Sequence, residues 1–174
     1  MMEIIFIGKG GQGAVKGADF LALAAFMAGK ESQFLPFYSA AQKGGDTKTC
    51  IRISNSPIIK SCYIYQADVL VAFHSDNLGE NILMIKSTGW LILNSRDLPE
   101  KIRFPRVALI DADKIAHNLK LGQIINTPML GAFVKATNII SLKIFEDVLE
   151  KTDLKKEENL EALRKGFEET KIIH

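Results

Sequence analysis

The hexapeptide Gly8-Lys9-Gly10-Gly11-Gln12-Gly13 follows directly on the apolar run Ile4-Ile5-Phe6-Ile7. A strand that breaks into glycines and then enters a helix is the signature of an α/β chain that holds an anion at the turn. Glycine lets backbone N–H groups approach a phosphate closely, and the helix N-terminus adds about half a positive charge. The spacing satisfies G-x-G-x-x-G, a dinucleotide fingerprint. That fingerprint also requires an acidic residue about 20 residues further on, at the end of the second strand, to hold a ribose hydroxyl. The count lands near Gln33–Phe37, where no Asp or Glu stands; Glu31 lies before it. No Gly-Lys-Ser/Thr follows the turn either, which excludes a P-loop.

Hydrophobic periodicity places the remaining elements. Met2–Ile7 reads as a buried strand and Gln12–Ala28 as a helix, with Ala18, Leu21, Ala22, Ala25 and Phe26 at three- and four-residue spacing and Gly29 as its C′ residue. Glu31–Phe37 reads as a second strand, Tyr38–Lys48 as a polar loop, and Thr49–Ser54 as a half-buried strand with Cys50 and Arg52 on one face. Asp68–His74 is a near-continuous apolar run, as in a central parallel strand. Asp76 is expected to cap a helix over Asn77–Lys86, followed by strands at Trp90–Leu93 and Val107–Ile110. Ala112–Leu121 reads as a short helix, and Thr127-Pro128 as a helix start with Thr as cap. Ser141 should cap a helix to about Glu150, and Asn159–Thr170 reads as a charged amphipathic helix after a solvated connector, Lys151–Asn159. The alternation of strand and helix predicts one α/β domain over residues 1–174, in three layers around a largely parallel sheet.

The net charge of +2, from 22 basic and 20 acidic side chains, gives no long-range attraction to nucleic acid or to an anionic membrane. No window approaches the ~18 apolar residues of a membrane span. The N-terminus shows no basic n-region or cleavage site, so a cytoplasmic location is expected. The two cysteines, Cys50 and Cys62, form no C-x-x-C and have no histidine at zinc spacing, so no metal site is expected and no iron–sulfur cluster, which takes four thiolates.

Three further places invite attention. Gln12 would sit in the first helical turn, its amide free to contact a ligand or a facing chain. The loop Gln42-Lys43-Gly44-Gly45 offers a cation beside two glycines that let backbone come close. His74, at the end of the Asp68–Phe73 strand, is a candidate proton carrier. No Ser-His-Asp order, carboxylate pair or H-E-x-x-H appears, and no catalytic residue is assigned.

Together these segments resemble the gamma subunits of 2-oxoacid:ferredoxin oxidoreductases. Gly8–Gly13 is similar to the family's G-x-G-G-Q-G opening, and Lys43-Gly44-Gly45 to its R-G-G loop with Lys in place of Arg. Ala24-Ala25-Phe26 with Gly29-Lys30, Ile51-Arg52-Ile53-Ser54 and Ala67–Phe73 resemble further family segments. So do Asn126 with Met129-Leu130-Gly131-Ala132, and Asn159-Leu160-Glu161-Ala162-Leu163 with Gly166. The resemblance runs over about residues 3–167. It implies a Rossmann-like, swivelling domain that is inactive alone. Its partners would be alpha, beta and ferredoxin-like delta subunits, with ferredoxin or flavodoxin as electron acceptor of the complex. Thiamine diphosphate, Mg and the iron–sulfur clusters would lie on those partners. The complex would turn a 2-oxoacid and coenzyme A into acyl-CoA and CO2. The implied coenzyme A contacts are Gly8, Lys9, Gly10, Gly11, Gln12, Gly13, Lys43, Gly44 and Gly45. A subunit of indolepyruvate oxidoreductase, or a stand-alone coenzyme A- or nucleotide-binding module, are the alternatives.

Overall fold

A computed structural model describes residues 1–37, 46–151 and 155–173. Seven strands form one sheet in the order β2-β3-β1-β4-β5-β6-β7. They are β1 (Met2–Lys9), β2 (Glu31–Phe37), β3 (Asp46–Ser54), β4 (Ala67–Ala72), β5 (Ile85–Asn94), β6 (Val107–Ile110) and β7 (Lys171–Ile173). The four central strands β1, β4, β5 and β6 are mutually parallel. The flanks are antiparallel: β3 against β1, β2 against β3, and β7 against β6. The sheet is therefore parallel at its centre and mixed at its edges. Pro36 lies in the edge strand β2, where a missing N–H costs no central ladder bond.

Alternating side chains divide the core in two. Ile4, Phe6, Ile51, Ile53, Val69, Val71, Ile92 and Ala108 face α1 (Ala14–Met27), α2 (Ala112–Asn118), α3 (Asn126–Thr137), α4 (Leu142–Leu149) and α5 (Lys156–Glu169). Ile5, Ile7, Cys50, Leu70, Ala72, Leu91, Leu93 and Val107 face the other way. That side is covered by 3₁₀ turns at Ser75–Asn77 and Gly79–Met84 and by irregular chain carrying Ile64 and Ile102. The third layer exists, but it is built without α-helix among the described residues.

Several local expectations are corrected. The α1 helix begins at Ala14, not Gln12, because Gly13 adopts φ 84° at the cap and stops the helical conformation there. The helix expected over Asn77–Lys86 is two 3₁₀ turns. His74 rather than Asp76 caps the first, and Gly79 at φ 28° breaks the run. Ile85 and Lys86 belong to β5 instead. Asn126 precedes the expected cap Thr127 inside α3, so Pro128 is its third residue. Ser141 precedes α4 without a side-chain cap bond, and α5 starts earlier, at Lys156. Residues 46–48 extend β3 rather than a loop, and its apolar positions are buried on both faces, not half-buried. The strand β7 follows no strong sequence signal.

The C-terminal end of α1 is as expected. Gly29 at φ 71° lets Lys30 N–H reach Ala25 O at 3.0 Å, a Schellman closure. Helices α3 and α5 cross at two glycines. A Cβ on Gly131 would strike the Leu163 carbonyl oxygen, and one on Gly166 the Pro128 carbonyl oxygen. No described helix is long and apolar enough to cross a membrane.

Candidate anion-binding turn and cleft

Strand β1 leaves the sheet toward α1 on the helical face, while its parallel neighbour β4 leaves toward the 3₁₀ turns on the opposite face. Such a divergence opens a crevice at the carboxyl ends of the strands. The glycine turn lies there, and Gly8, Gly13 and Gly11 each have their own reason. A side chain on Gly8 would press on Phe73 Cβ at 3.0 Å and Ala14 Cβ at 3.1 Å. At Gly13, with positive φ, a Cβ would come within 3.2 Å of the Asn126 side chain. Gly11 adopts φ 97° in open space.

Gln12 closes the turn on itself. Its Oε1 accepts from the Lys9 N–H at 2.8 Å, and its own N–H donates to Lys9 O at 3.2 Å. Its carbonyl accepts from Ile125 N–H at 3.2 Å, which ties the turn to the start of α3. The residue therefore shapes the loop from within; it does not stand free in a helical turn. Among the described residues, the N–H groups of Gly10, Gly11 and Gly13 have no hydrogen-bond partner, and the first-turn amides of α1 have none within the helix.

Around this turn opens a cleft of about 560 Å³, with Lys9, Gly11, Val15, Phe34, Ile124 and Asn126 in its walls. The N-termini of α1 and α3 both border it. Its surface is mostly apolar, and its cations are already engaged. Lys16 holds Asp19 at 2.6 Å and lies over the Phe20 ring at 4.7 Å. Lys9 Nζ stands 3.7 Å from Asp76 Oδ2, an exposed and therefore weak pair. Lys9 is thus the cation most readily turned to a ligand.

His74 is not positioned as a proton carrier toward the cleft. Its Nδ1 accepts from the Asp76 N–H at 3.2 Å, a capping role. His117 is exposed on α2. Lys43, Gly44 and Gly45 lie outside the described residues, as does His174. Beyond α1, which contributes Ala14, Val15, Lys16 and Asp19, the residues that line the cleft but were not singled out as ligands are Phe34, Thr47, Ile124 and Asn126. Only Asn126 left a trace in the sequence, as part of a C-terminal segment; the others come from strands and a loop whose meeting no local pattern encodes. Among the described residues, no group of three His, Cys, Asp or Glu could hold a metal ion.

The chain matches the family model described as pyruvate ferredoxin/flavodoxin oxidoreductase over residues 3–169. It is 36% identical over 184 residues to the pyruvate/ketoisovalerate oxidoreductases common subunit gamma of Pyrococcus abyssi, covering 99% of both chains. The crystal structure of pyruvate oxidoreductase subunit PORC from Thermotoga maritima superimposes with a TM-score of 0.87 at 32% identity, covering 99% of this chain and 98% of that one. The 2-oxoglutarate:ferredoxin oxidoreductase from Magnetococcus marinus, with 2-oxoglutarate, coenzyme A and succinyl-CoA bound, gives a TM-score of 0.81 at 27% identity. There the match covers 95% of this chain but 30% of the longer one.

Proposed function

Because the chain belongs to the pyruvate ferredoxin/flavodoxin oxidoreductase family, we propose that it is the gamma subunit of a multi-subunit 2-oxoacid:ferredoxin oxidoreductase and that its glycine turn holds the phosphates of coenzyme A. Relatives named for pyruvate, ketoisovalerate and 2-oxoglutarate share this domain, which supports a 2-oxoacid as the substrate class; its side chain is proposed to be read on other subunits.

The observation that supports the phosphate role is that Gly10, Gly11 and Gly13 line the cleft with N–H groups that have no hydrogen-bond partner among the described residues, in a turn that Gln12 braces at the N-terminus of α1. An anion there gains charge-assisted bonds of about 1.5–3 kcal/mol each when well formed. Lys9 adds a point charge once it leaves Asp76. Lys43, Gly44 and Gly45 are proposed to complete the phosphate contacts, on sequence grounds. The apolar walls at Val15, Phe34 and Ile124 suit the less polar parts of the same molecule. Coenzyme A supplies the thiol that carries the acyl product away. This chain orients and retains it; thiamine diphosphate, Mg and the iron–sulfur clusters are proposed to sit on alpha, beta and ferredoxin-like delta subunits, with ferredoxin or flavodoxin as acceptor.

A dinucleotide role has a structural argument against it. The strand that follows α1 is not the neighbour of β1: β3 inserts between them in antiparallel sense. The ribose-holding position of a nicotinamide fold therefore does not exist beside this turn.

The test is reconstitution. The chain mixed with its thiamine and cluster subunits should restore coenzyme A-dependent reduction of a low-potential dye, and should show no turnover by itself. Lys9→Ala should raise KM for coenzyme A about tenfold with kcat nearly unchanged, the mark of lost ground-state binding. Equal activity of the other subunits without this chain, or tight binding of NAD(H) by the isolated chain, overturns the proposal.

A further inference from the structure

The start of α1 leaves a slot for one polar side chain from a distant part of the sequence. A Cβ on Gly13 would come within 3.2 Å of Asn126 Cγ, and a Cβ on Gly17 within 3.2 Å of Asn126 Cβ. Residues four apart share a helix face, so these two glycines together make room for the carboxamide. Just before it, Ile125 N–H donates to Gln12 O at 3.2 Å, which anchors the start of α3 to the glycine turn.

Asn126 is only 4% exposed, yet its carboxamide is poorly used. Oδ1 accepts from the Thr127 hydroxyl at 3.3 Å, a weak contact because the same hydroxyl donates to Asn159 Oδ1 at 2.8 Å. Nδ2, a double donor, has no hydrogen-bond partner among the described residues. A buried donor left unpaired is costly, and native proteins keep few of them without a purpose. Asn126 lines the cleft beside Gly10, Gly11 and Gly13, and Nδ2 lies 3.3 Å from the place a Gly13 Cβ would take. The apolar walls at Val15, Phe34 and Ile124 offer it no acceptor. Asp19 lines the cleft too, but Lys16 holds its carboxylate at 2.6 Å. The groups gathered around the N-terminus of α1 are therefore donors in need of an acceptor, where the helix end adds its partial positive charge.

We propose that Asn126 is a phosphate-binding residue of this site, its Nδ2 donating to an oxygen of the phosphate that the Gly11 and Gly13 N–H groups hold. The ligand is then gripped from two sides, by the first turn of α1 and by the first residue of α3. This assignment rests on the reading of the glycine turn as a coenzyme A site. Coenzyme A carries a pyrophosphate and a 3′-phosphomonoester. Their shared chemistry, ionised oxygens that only accept, is what an amide donor recognises.

The experiment uses the complete enzyme assembled from this chain and its partner subunits, and reads KM for coenzyme A. Asn126→Asp keeps the size of the side chain but puts a negative charge where the donor stood. It should raise KM about thirtyfold with kcat nearly unchanged, and the excess should shrink at about 0.5 M salt. Asn126→Ala removes the donor without adding charge and should raise KM about tenfold; it also serves if the Asp variant fails to assemble. Dephospho-coenzyme A then identifies the phosphate. A penalty for Asn126→Ala that vanishes with this substrate assigns the contact to the 3′-phosphate, and one that persists assigns it to the pyrophosphate; both support the proposal. If KM moves with Lys9→Ala but stays within about twofold in both Asn126 variants, the role of Asn126 is overturned and the coenzyme A site stands. If none of the three moves KM, the site and the role fall together. A penalty for Asn126→Ala without one for Asn126→Asp means that Oδ1, not Nδ2, faces the cleft, which also overturns the proposal. So does a fall in kcat and in the thermal midpoint with KM unmoved, the mark of a purely structural side chain.

Discussion

Arg52 and Glu3 stand directly opposite each other in β3 and β1, and Arg52 Nε donates to Glu3 Oε1 across 2.9 Å with the guanidinium wholly buried. The same guanidinium donates from Nη1 to Gln33 Oε1 in β2 at 2.7 Å and from Nη2 to the Cys62 carbonyl. One side chain therefore binds three strands and the segment around Cys62. A buried ion pair is weak evidence of net stability, but removing one member is costly because the other stays behind without its partner.

Arg52→Ala is accordingly expected to lower the unfolding free energy by about 3–5 kcal/mol, and Glu3→Gln by less, since Glu3 keeps some contact with solvent. Urea titration measures both. Amide hydrogen exchange should also rise in residues 59–65 of Arg52→Ala under native conditions. A loss below about 1 kcal/mol would show that the network relaxes around the gap.

The crossing of α3 and α5 gives a second prediction. At Gly131 and Gly166 a methyl group meets backbone that cannot rotate away, so each substitution to Ala should cost about 3 kcal/mol or more. Gly29→Ala faces open space and only a strained φ, with a cost of about 1 kcal/mol. Comparable thermal midpoints for Gly29→Ala and Gly131→Ala would refute the close crossing.

Gln12→Ala removes the acceptor that pins the Lys9 N–H. The half-exposed bond is worth about 1 kcal/mol, so stability should fall slightly while KM for coenzyme A in the reconstituted enzyme rises several-fold. Gln12→Glu keeps an acceptor but adds a negative charge beside the proposed phosphate, and should bind worse than Gln12→Ala. Titration calorimetry with coenzyme A at two salt concentrations separates shape from charge, because screening weakens only the second effect.

The two cysteines should differ sharply. Burial pushes the Cys50 thiol above its ordinary range, outweighing the opposing influence of Lys48, whereas Cys62 is exposed. Iodoacetamide at neutral pH should modify Cys62 alone in the native protein and both after denaturation, read by peptide mass. The sign for stability follows from the raised value: the unfolded chain loses the Cys50 proton first, so this contribution is intact at neutral pH and declines as alkalinity passes the unfolded thiol's range. Rapid double modification of folded protein would contradict the burial of Cys50.

The sequence disclosed the elements whose signals are local. The β1 run, the glycine turn, the Gly29 stop of α1 and the apolar β4 strand were legible because each rests on the conformational freedom of glycine or on continuous burial. The Asn77–Lys86 segment was misread for the same reason in reverse. Its apolar spacing suits a helix, but Gly79 and the pull of Ile85 into the sheet decide otherwise. The role of Gln12 was visible only as a residue in need of an explanation. The explanation is a bond to a neighbour three positions away, in a turn whose shape the sequence does not spell out.

Residue order alone determined an α/β chain with a glycine turn between its first strand and helix, because periodicity and backbone permissiveness act over a few neighbours. The tertiary structure decided that β3 enters between β1 and β2, that α3 and α5 touch at two glycines, and that Phe34, Ile124 and Asn126 wall one cleft. Those outcomes depend on which distant surfaces bury each other most completely. That competition is settled by packing across the whole chain.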